Sequence, residues 1–142
     1  IETCVSNLFS EVPWKGPFDN ILSILPQKPC PPGILPLAND GGPEGTDLLL
    51  PVIQKAEEWL APEGSLFLFF HSLAHPKALL QLHHQYRVDI LSMKTRIFTM
   101  DDYPALEKMW KKRNQENTSY FESEGTDRFG FICLVARARR AS

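Results

Sequence analysis

Hydrophobic and polar positions along this chain follow two periods, one typical of β-strands and one typical of amphipathic helices. Short apolar runs bounded by proline or glycine alternate with longer stretches in which apolar residues recur every three or four positions. This pattern predicts strands at Phe18–Ser23, Ser65–Phe70, Arg87–Phe98 and Phe129–Arg137. It predicts helices at Asp47–Leu60, at Pro76–Gln85 and from Asp101 onwards.

The order of these elements predicts the fold class. Strands that alternate with helices indicate an α/β protein with a mainly parallel sheet and helices on both of its faces. The strand Phe18–Ser23 shows little polar alternation after Asn20, so we expect an inner strand that is covered on both faces. The last strand follows a helix and a polar hairpin or loop at 114–127 rather than a full crossover, which allows an antiparallel orientation.

Size and charge narrow the possible functions. The 142 residues fit a single domain, and a formal charge of −2 provides no broad field that would attract nucleic acid. The basic residues Arg137, Arg139 and Arg140 are expected to form a solvated chain end. No apolar run approaches the roughly 18 residues that a membrane-spanning helix needs. The three cysteines lack metal-type or redox-type spacing, so we expect a reducing cytoplasm, with Cys4 and Cys133 as small core residues.

A loop rich in proline and glycine separates the first strand from the first helix. Residues 26–43 contain six prolines and three glycines in eighteen positions, which predicts a fixed wall without regular structure. The segment Asp40–Asp47 then leads into the helix, with Thr46 or Asp47 as its expected cap. Its glycines lack a preceding strand and a lysine, and its carboxylates would repel an anion. A helix-entry turn is therefore favoured over a phosphate loop.

This arrangement resembles the second half of class I S-adenosylmethionine-dependent methyltransferases, of the release-factor glutamine or small-domain N-methyltransferase type. In that family a strand ends in Asn-Pro-Pro-Tyr or a variant, and a loop, a Gly-Gly-x-x-Gly segment and a helix follow. Here the motif position holds Ser23-Ile24-Leu25-Pro26-Gln27, so Ile24 replaces the asparagine. The resemblance implies an incomplete Rossmann-like sheet over residues 1–142, whose last strand inserts antiparallel between its neighbours.

The resemblance also implies site residues. In the family, the asparagine and a proline carbonyl accept hydrogen bonds from a planar nitrogen and so position it for methyl transfer. Ile24 accepts none, which leaves Pro26 and Gln27 as the catalytic candidates. Asn7 and Leu8 match the family's adenine-binding position, and Ser23 is the third implied cofactor contact. The alternative for Asn7 is an ordinary turn asparagine. The alternative for residues 23–27 is a strand that simply ends in a proline turn.

The family's cofactor loop is missing from this sequence. No Gly-x-Gly occurs in it, although such a loop lets the backbone approach the cofactor closely. We therefore expect S-adenosylmethionine to bind weakly or not at all to this chain alone, and the isolated chain to be inactive. The exposed edge of Phe18–Ser23 is expected to be covered by a missing amino-terminal half, by a second copy or by residues Ile1–Val5.

Three hypotheses for the function remain open. The chain is the carboxyl-terminal part of an enzyme that methylates a planar nitrogen in a protein glutamine or a nucleobase. Alternatively it is a degenerate, inactive interaction module with the same fold, or an unrelated α/β protein.

The histidines offer a metal alternative. His71 and His75 are four residues apart, but one ends a strand and the other precedes Pro76, so they share no helical face. We therefore expect no metal site. His71 ends an inner strand, where open α/β sheets bind ligands, so it is either a pocket residue or a solvated loop residue.

Overall fold

The computed structural model describes residues 1–14, 16–125 and 127–141. The strands are β1 (Phe18–Ser23), β2 (Leu60–His71), β3 (Tyr86–Thr99), β4 (Glu122–Ser123) and β5 (Arg128–Arg140). The helices are α1 (Leu49–Trp59), α2 (Lys77–Gln85) and α3 (Glu107–Gln115), with a 3-10 turn at Met100–Asp102.

The described strands form one open sheet in the order β1-β2-β5-β3, and β4 pairs with β5 as a short hairpin. β1 runs parallel to β2, whereas β5 runs antiparallel to both β2 and β3. The α/β class and the antiparallel last strand are therefore confirmed. β1, β2 and β3 share one direction, but only β1 and β2 form a parallel pair because β5 lies between β2 and β3.

β1 lies at the edge of this sheet, so the expectation of an inner strand covered on both faces is wrong for the described residues. β1 pairs with β2 alone, and Ile1–Val5 are exposed and belong to no strand. The side chain of Leu22 is 77% exposed. The apolar residues of β1 predicted a strand that other segments cover on both faces. No segment of the described chain covers it in this way.

α1 and α2 pack side by side on one face of the sheet. Their apolar stripes bury Leu49, Ile53 and Leu82 against Leu66 and Leu68 of β2. The hydroxyl of Tyr86 donates a hydrogen bond to the Ile53 carbonyl at 2.9 Å and joins β3 to α1. These residues belong to the larger of the two apolar clusters among the described residues.

The second cluster joins the proline-rich loop to α3. The indole of Trp110 is fully buried, and its Nε1–H donates to the Pro29 carbonyl at 2.7 Å. Cys30 is buried in the same cluster, and Cys133 is buried in β5, whereas Cys4 is exposed. The loop belongs to no helix or strand, as expected, and it packs against α3, but the prediction of Cys4 as a core residue is wrong.

α3 begins later than the sequence pattern predicts. Asp102 accepts hydrogen bonds from the backbone and the hydroxyl of Thr99, which closes only a 3-10 turn. Pro104 follows, and a proline disfavours helical geometry in the residue before it. The α-helix therefore begins at Glu107 rather than at Asp101.

The face opposite α1 and α2 is called the open face. Strand alternation places Leu22, Phe67, Phe69 and Val135 there, and all of them are at least partly exposed. α3 packs on Phe98 and Phe129 at one end of the open face, so this face is covered only in part.

A small ionic network occupies the other end of the open face. Arg137 and Arg139 each contact Asp89 at 2.8 Å, and both lie within β5. The expected solvated chain end is therefore an ordered part of the sheet. Among the described residues, no helix combines the length and the apolar character needed to cross a membrane.

Candidate functional site

Gln27 fixes the loop that follows the carboxyl end of β1. Its side chain is 1% exposed, and its Nε2 donates to the Phe69 carbonyl at 2.6 Å and to the Leu25 carbonyl at 3.3 Å. Its Oε1 accepts the backbone N–H of His71 at 3.2 Å. The β1–β2 pairing ends at Ser23 and Leu68, so the Gln27 amide takes over the pairing with β2 where backbone pairing stops.

The glycine turn before α1 packs directly against Gln27. Gly45 has a φ of +74°, and a Cβ placed on it would lie 2.3 Å from the Gln27 carbonyl oxygen. A Cβ on Gly41 would lie 2.7 Å from the Gln27 Cα. The helix-entry interpretation of this segment is confirmed, although Leu48 rather than Thr46 or Asp47 is the cap position and no side chain caps the helix.

The other residues of the predicted motif are more accessible. Ile24 is 82% exposed just beyond the end of β1, and Pro26 is half-buried. Ser23 is half-buried and pairs with Leu68. Of the two catalytic candidates, Pro26 therefore lies at the surface, whereas the amide of Gln27 faces inward and binds backbone groups.

Asn7 and Leu8 line a small cavity of about 250 Å³ beside the first turn of α1. Leu48 and Pro51 form its other side. Asn7 is exposed and accepts the Ser10 N–H through its backbone carbonyl at 3.1 Å. Ser23 and Pro26 lie outside this cavity, so the structure does not bring all the cofactor candidates into one cavity.

His71 ends β2 and is largely buried. Its ring lies 5.6 Å from the ring of Phe131 and 6.3 Å from that of Phe69. Burial, with a smaller contribution from the positive charge of Lys28, lowers the pKa of His71 to about 4, so the imidazole is neutral at pH 7. Its Nδ1 is buried and has no hydrogen-bond partner among the described residues.

Two larger cavities meet at His71. An apolar cavity of about 410 Å³ lies on the helix-covered side, between Leu79 of α2 and Leu134 of β5. The other, of about 430 Å³, lies on the open face between the proline-rich loop and β3 and is called the cationic cavity. Lys28 and Arg96 line the cationic cavity together with His71.

Sequence reasoning identified His71 but missed the rest of the cationic cavity. Phe69, Arg96 and Phe131 come from three strands, and only the strand order places them side by side. Alternation along each strand is a usable signal, since it puts these residues on one face once the pairing is known.

Among the described residues, no three His, Cys, Asp or Glu side chains lie close enough together to hold a metal ion. Comparisons of this chain with protein-family models, with curated proteins and with solved structures found no match.

Proposed function

We propose that this chain is the carboxyl-terminal part of a cytoplasmic S-adenosylmethionine-dependent methyltransferase that acts on a planar nitrogen. One observation carries the proposal. An antiparallel last strand, β5, lies between β2 and β3, beside the parallel pair of β1 and β2. This is the strand order that the resemblance implies for a Rossmann-like methyltransferase sheet.

The loop after β1 supports a positioning role. Gln27 and the glycine turn hold this loop rigidly at the carboxyl end of a parallel strand, where open α/β sheets bind ligands. Methyl transfer to a planar nitrogen depends mainly on the position of the acceptor. Pro26 supplies a backbone carbonyl as acceptor, Gln27 fixes the loop, and Ile24 supplies no hydrogen bond.

Cofactor binding is expected to be weak in this chain. The cavity of Asn7 and Leu8 offers a site for the adenine ring, and Ser23 lies at the end of β1. The sequence contains no glycine-rich loop for the rest of the cofactor, so a missing amino-terminal half or a second copy would complete the site and cover the β1 edge.

A second candidate is a catalytically inactive interaction module of the same fold. The exposure of Leu22 and Ile24 favours it, because large apolar side chains in such positions are typical of protein interfaces. In this case the loop after β1 would keep its conformation but would no longer position a methyl acceptor.

A titration with S-adenosylmethionine, followed by NMR of the amide signals, separates the two candidates. The first predicts a millimolar dissociation constant, with shifts at Asn7, Leu8 and Ser23. Asn7→Ala is expected to weaken binding several-fold, whereas the control Asn20→Ala on the exposed side of β1 leaves it unchanged. Saturation without shifts at these three residues would favour the inactive module. Micromolar affinity would contradict the expectation that this chain binds the cofactor only weakly without a Gly-x-Gly loop.

A further inference from the structure

The cationic cavity joins a planar apolar surface to positive charge. Phe69, Phe131 and Tyr103 provide aromatic walls, and the neutral ring of His71 lies between the two phenylalanines. Phe131 in turn packs against Phe98 with ring centroids 5.6 Å apart, which fixes its orientation. Stacking of a nucleic-acid base on such a ring contributes about 1–3 kcal/mol per base and tolerates any base.

The charge of this cavity favours an anion. Lys28 donates to the Tyr103 hydroxyl at 2.7 Å and to the Asn39 Oδ1 at 3.2 Å, and it lies 4.7 Å from the centre of the Tyr103 ring. An ammonium group has three N–H donors, so one remains. Arg96 is exposed and forms no ion pair within the described chain. The carboxylate of Asp102 accepts hydrogen bonds from Thr99, which leaves two cations against one carboxylate.

The cavity also lies next to the loop proposed to position the substrate. Gln27 bonds the backbone of Phe69 and of His71, and Lys28 follows Gln27 in the chain. The ring of His71 also lines this cavity, and its buried Nδ1 has no hydrogen-bond partner among the described residues. A glutamine side chain has no ring to stack and no charge to neutralise, so it would leave both features of the cavity unused.

We propose that the cationic cavity binds a nucleotide, with the base against Phe69 and Phe131 and the phosphate between Lys28 and Arg96. That this nucleotide is the methyl acceptor rests on the proposed function, whereas its binding does not. With a net charge of −2, the chain has no broad positive field that would attract phosphates outside this cavity. We therefore expect modest affinity and few phosphate contacts.

The experiment measures binding of a labelled, short single-stranded oligonucleotide by fluorescence anisotropy, without S-adenosylmethionine. Contact with one phosphate predicts that log K falls with log salt with a slope of about −0.7, the value for one phosphate on a single strand. Arg96→Ala is expected to weaken binding about tenfold and to make this slope shallower, because the phosphate loses one of its two cations. Arg87→Ala, at an exposed position of β3 outside the cavity lining, is the control and changes neither.

Two matched variants test whether the base stacks on the aromatic wall of the cavity. Phe69→Leu removes a ring that lines the cavity, and we expect binding about five- to tenfold weaker with the same salt slope. Phe67→Leu makes the same change two residues earlier on the open face, outside the cavity lining, and leaves affinity unchanged.

Competition identifies the ligand. Adenosine 5′-monophosphate is expected to displace the oligonucleotide, and inorganic phosphate and adenosine to do so far less well. Equal competition by inorganic phosphate would reduce the cavity to a simple anion site and overturn the proposal. Equal affinities of Arg96→Ala and Arg87→Ala would also overturn it, whatever the outcome with S-adenosylmethionine.

Discussion

At the scale of single residues, Gln27 shows how a polar side chain can be buried without destabilising the fold. Its amide is surrounded by protein, yet both of its polar atoms are bonded to backbone groups of β2 or of the loop itself. Buried polar groups are tolerated when they are hydrogen-bonded, and removing one partner leaves the other unsatisfied. Gln27 is thus a positioning residue for the loop after β1.

Gln27→Leu tests this role. Leucine is apolar and of similar size, so the change leaves the Phe69 carbonyl and the His71 N–H buried without their partner. We expect a loss of about 2–4 kcal/mol in the free energy of unfolding, measured by denaturant unfolding. Gln54→Leu, at an exposed position of α1, is the matched control and should cost under about 0.5 kcal/mol. Similar costs for the two variants would contradict the buried bonding role.

Residue identity alone predicted part of the candidate site. The position of Gln27 was predicted, but its inward orientation depends on where β1 stops pairing with β2, which no local pattern records. Ile24 is likewise exposed because no described segment covers the open face beside it. Arg96 and Phe131 could not be paired in advance, since they belong to strands far apart in sequence.

At the scale of elements, the predicted order of strands and helices is confirmed, and the boundaries shift for local reasons. Pro104 delays α3, and the β2 ladder extends beyond the apolar run that predicted it, to Leu60–His71. The 3.6-residue and two-residue periods were strong enough to assign each element. These periods do not show which strand lies at the edge of the sheet. A strand is apolar wherever some segment covers it, whether that segment is a neighbouring strand or another part of a protein.

The glycine turn before α1 makes the loop after β1 rigid by close contact, and this can be tested with two glycines of similar φ. Gly45 has a φ of +74° and would carry its Cβ into the Gln27 carbonyl, whereas Gly33 has a φ of +78° and open space around it. We expect Gly33→Ala to cost about 1–2 kcal/mol in the free energy of unfolding, from backbone strain alone. Gly45→Ala is expected to cost at least about 2 kcal/mol more, since strain and steric overlap add.

Thermal unfolding of the two variants measures the difference, with the unmodified chain as reference. The excess cost of Gly45→Ala reports the close contacts of the turn, chiefly with the Gln27 carbonyl and also with Ala74. Equal costs would mean that the contact adjusts easily, and the loop would then not be a fixed wall.

At the scale of the whole molecule, the two sides of the sheet differ in a way that predicts association. The face beneath α1 and α2 holds the larger apolar cluster, while the open face carries Leu22 on β1, whose outer edge pairs with no other described strand. Sheets in α/β proteins are normally covered on both faces, and an open edge is a template for pairing with another chain. The chain on its own is therefore expected to self-associate through the β1 edge and the open face.

Leu22→Lys tests this expectation. A lysine at the edge opposes pairing with another strand, so we expect the mass observed by sedimentation to fall towards the monomer. Because Leu22 is 77% exposed, the free energy of unfolding should change by under about 0.5 kcal/mol. Leu37→Lys is the control, since Leu37 is 88% exposed but lies in the proline-rich loop, and it should leave association unchanged. If the unmodified chain is a monodisperse monomer at high concentration, its edge tolerates water, and neither a second copy nor a further segment is needed to cover β1.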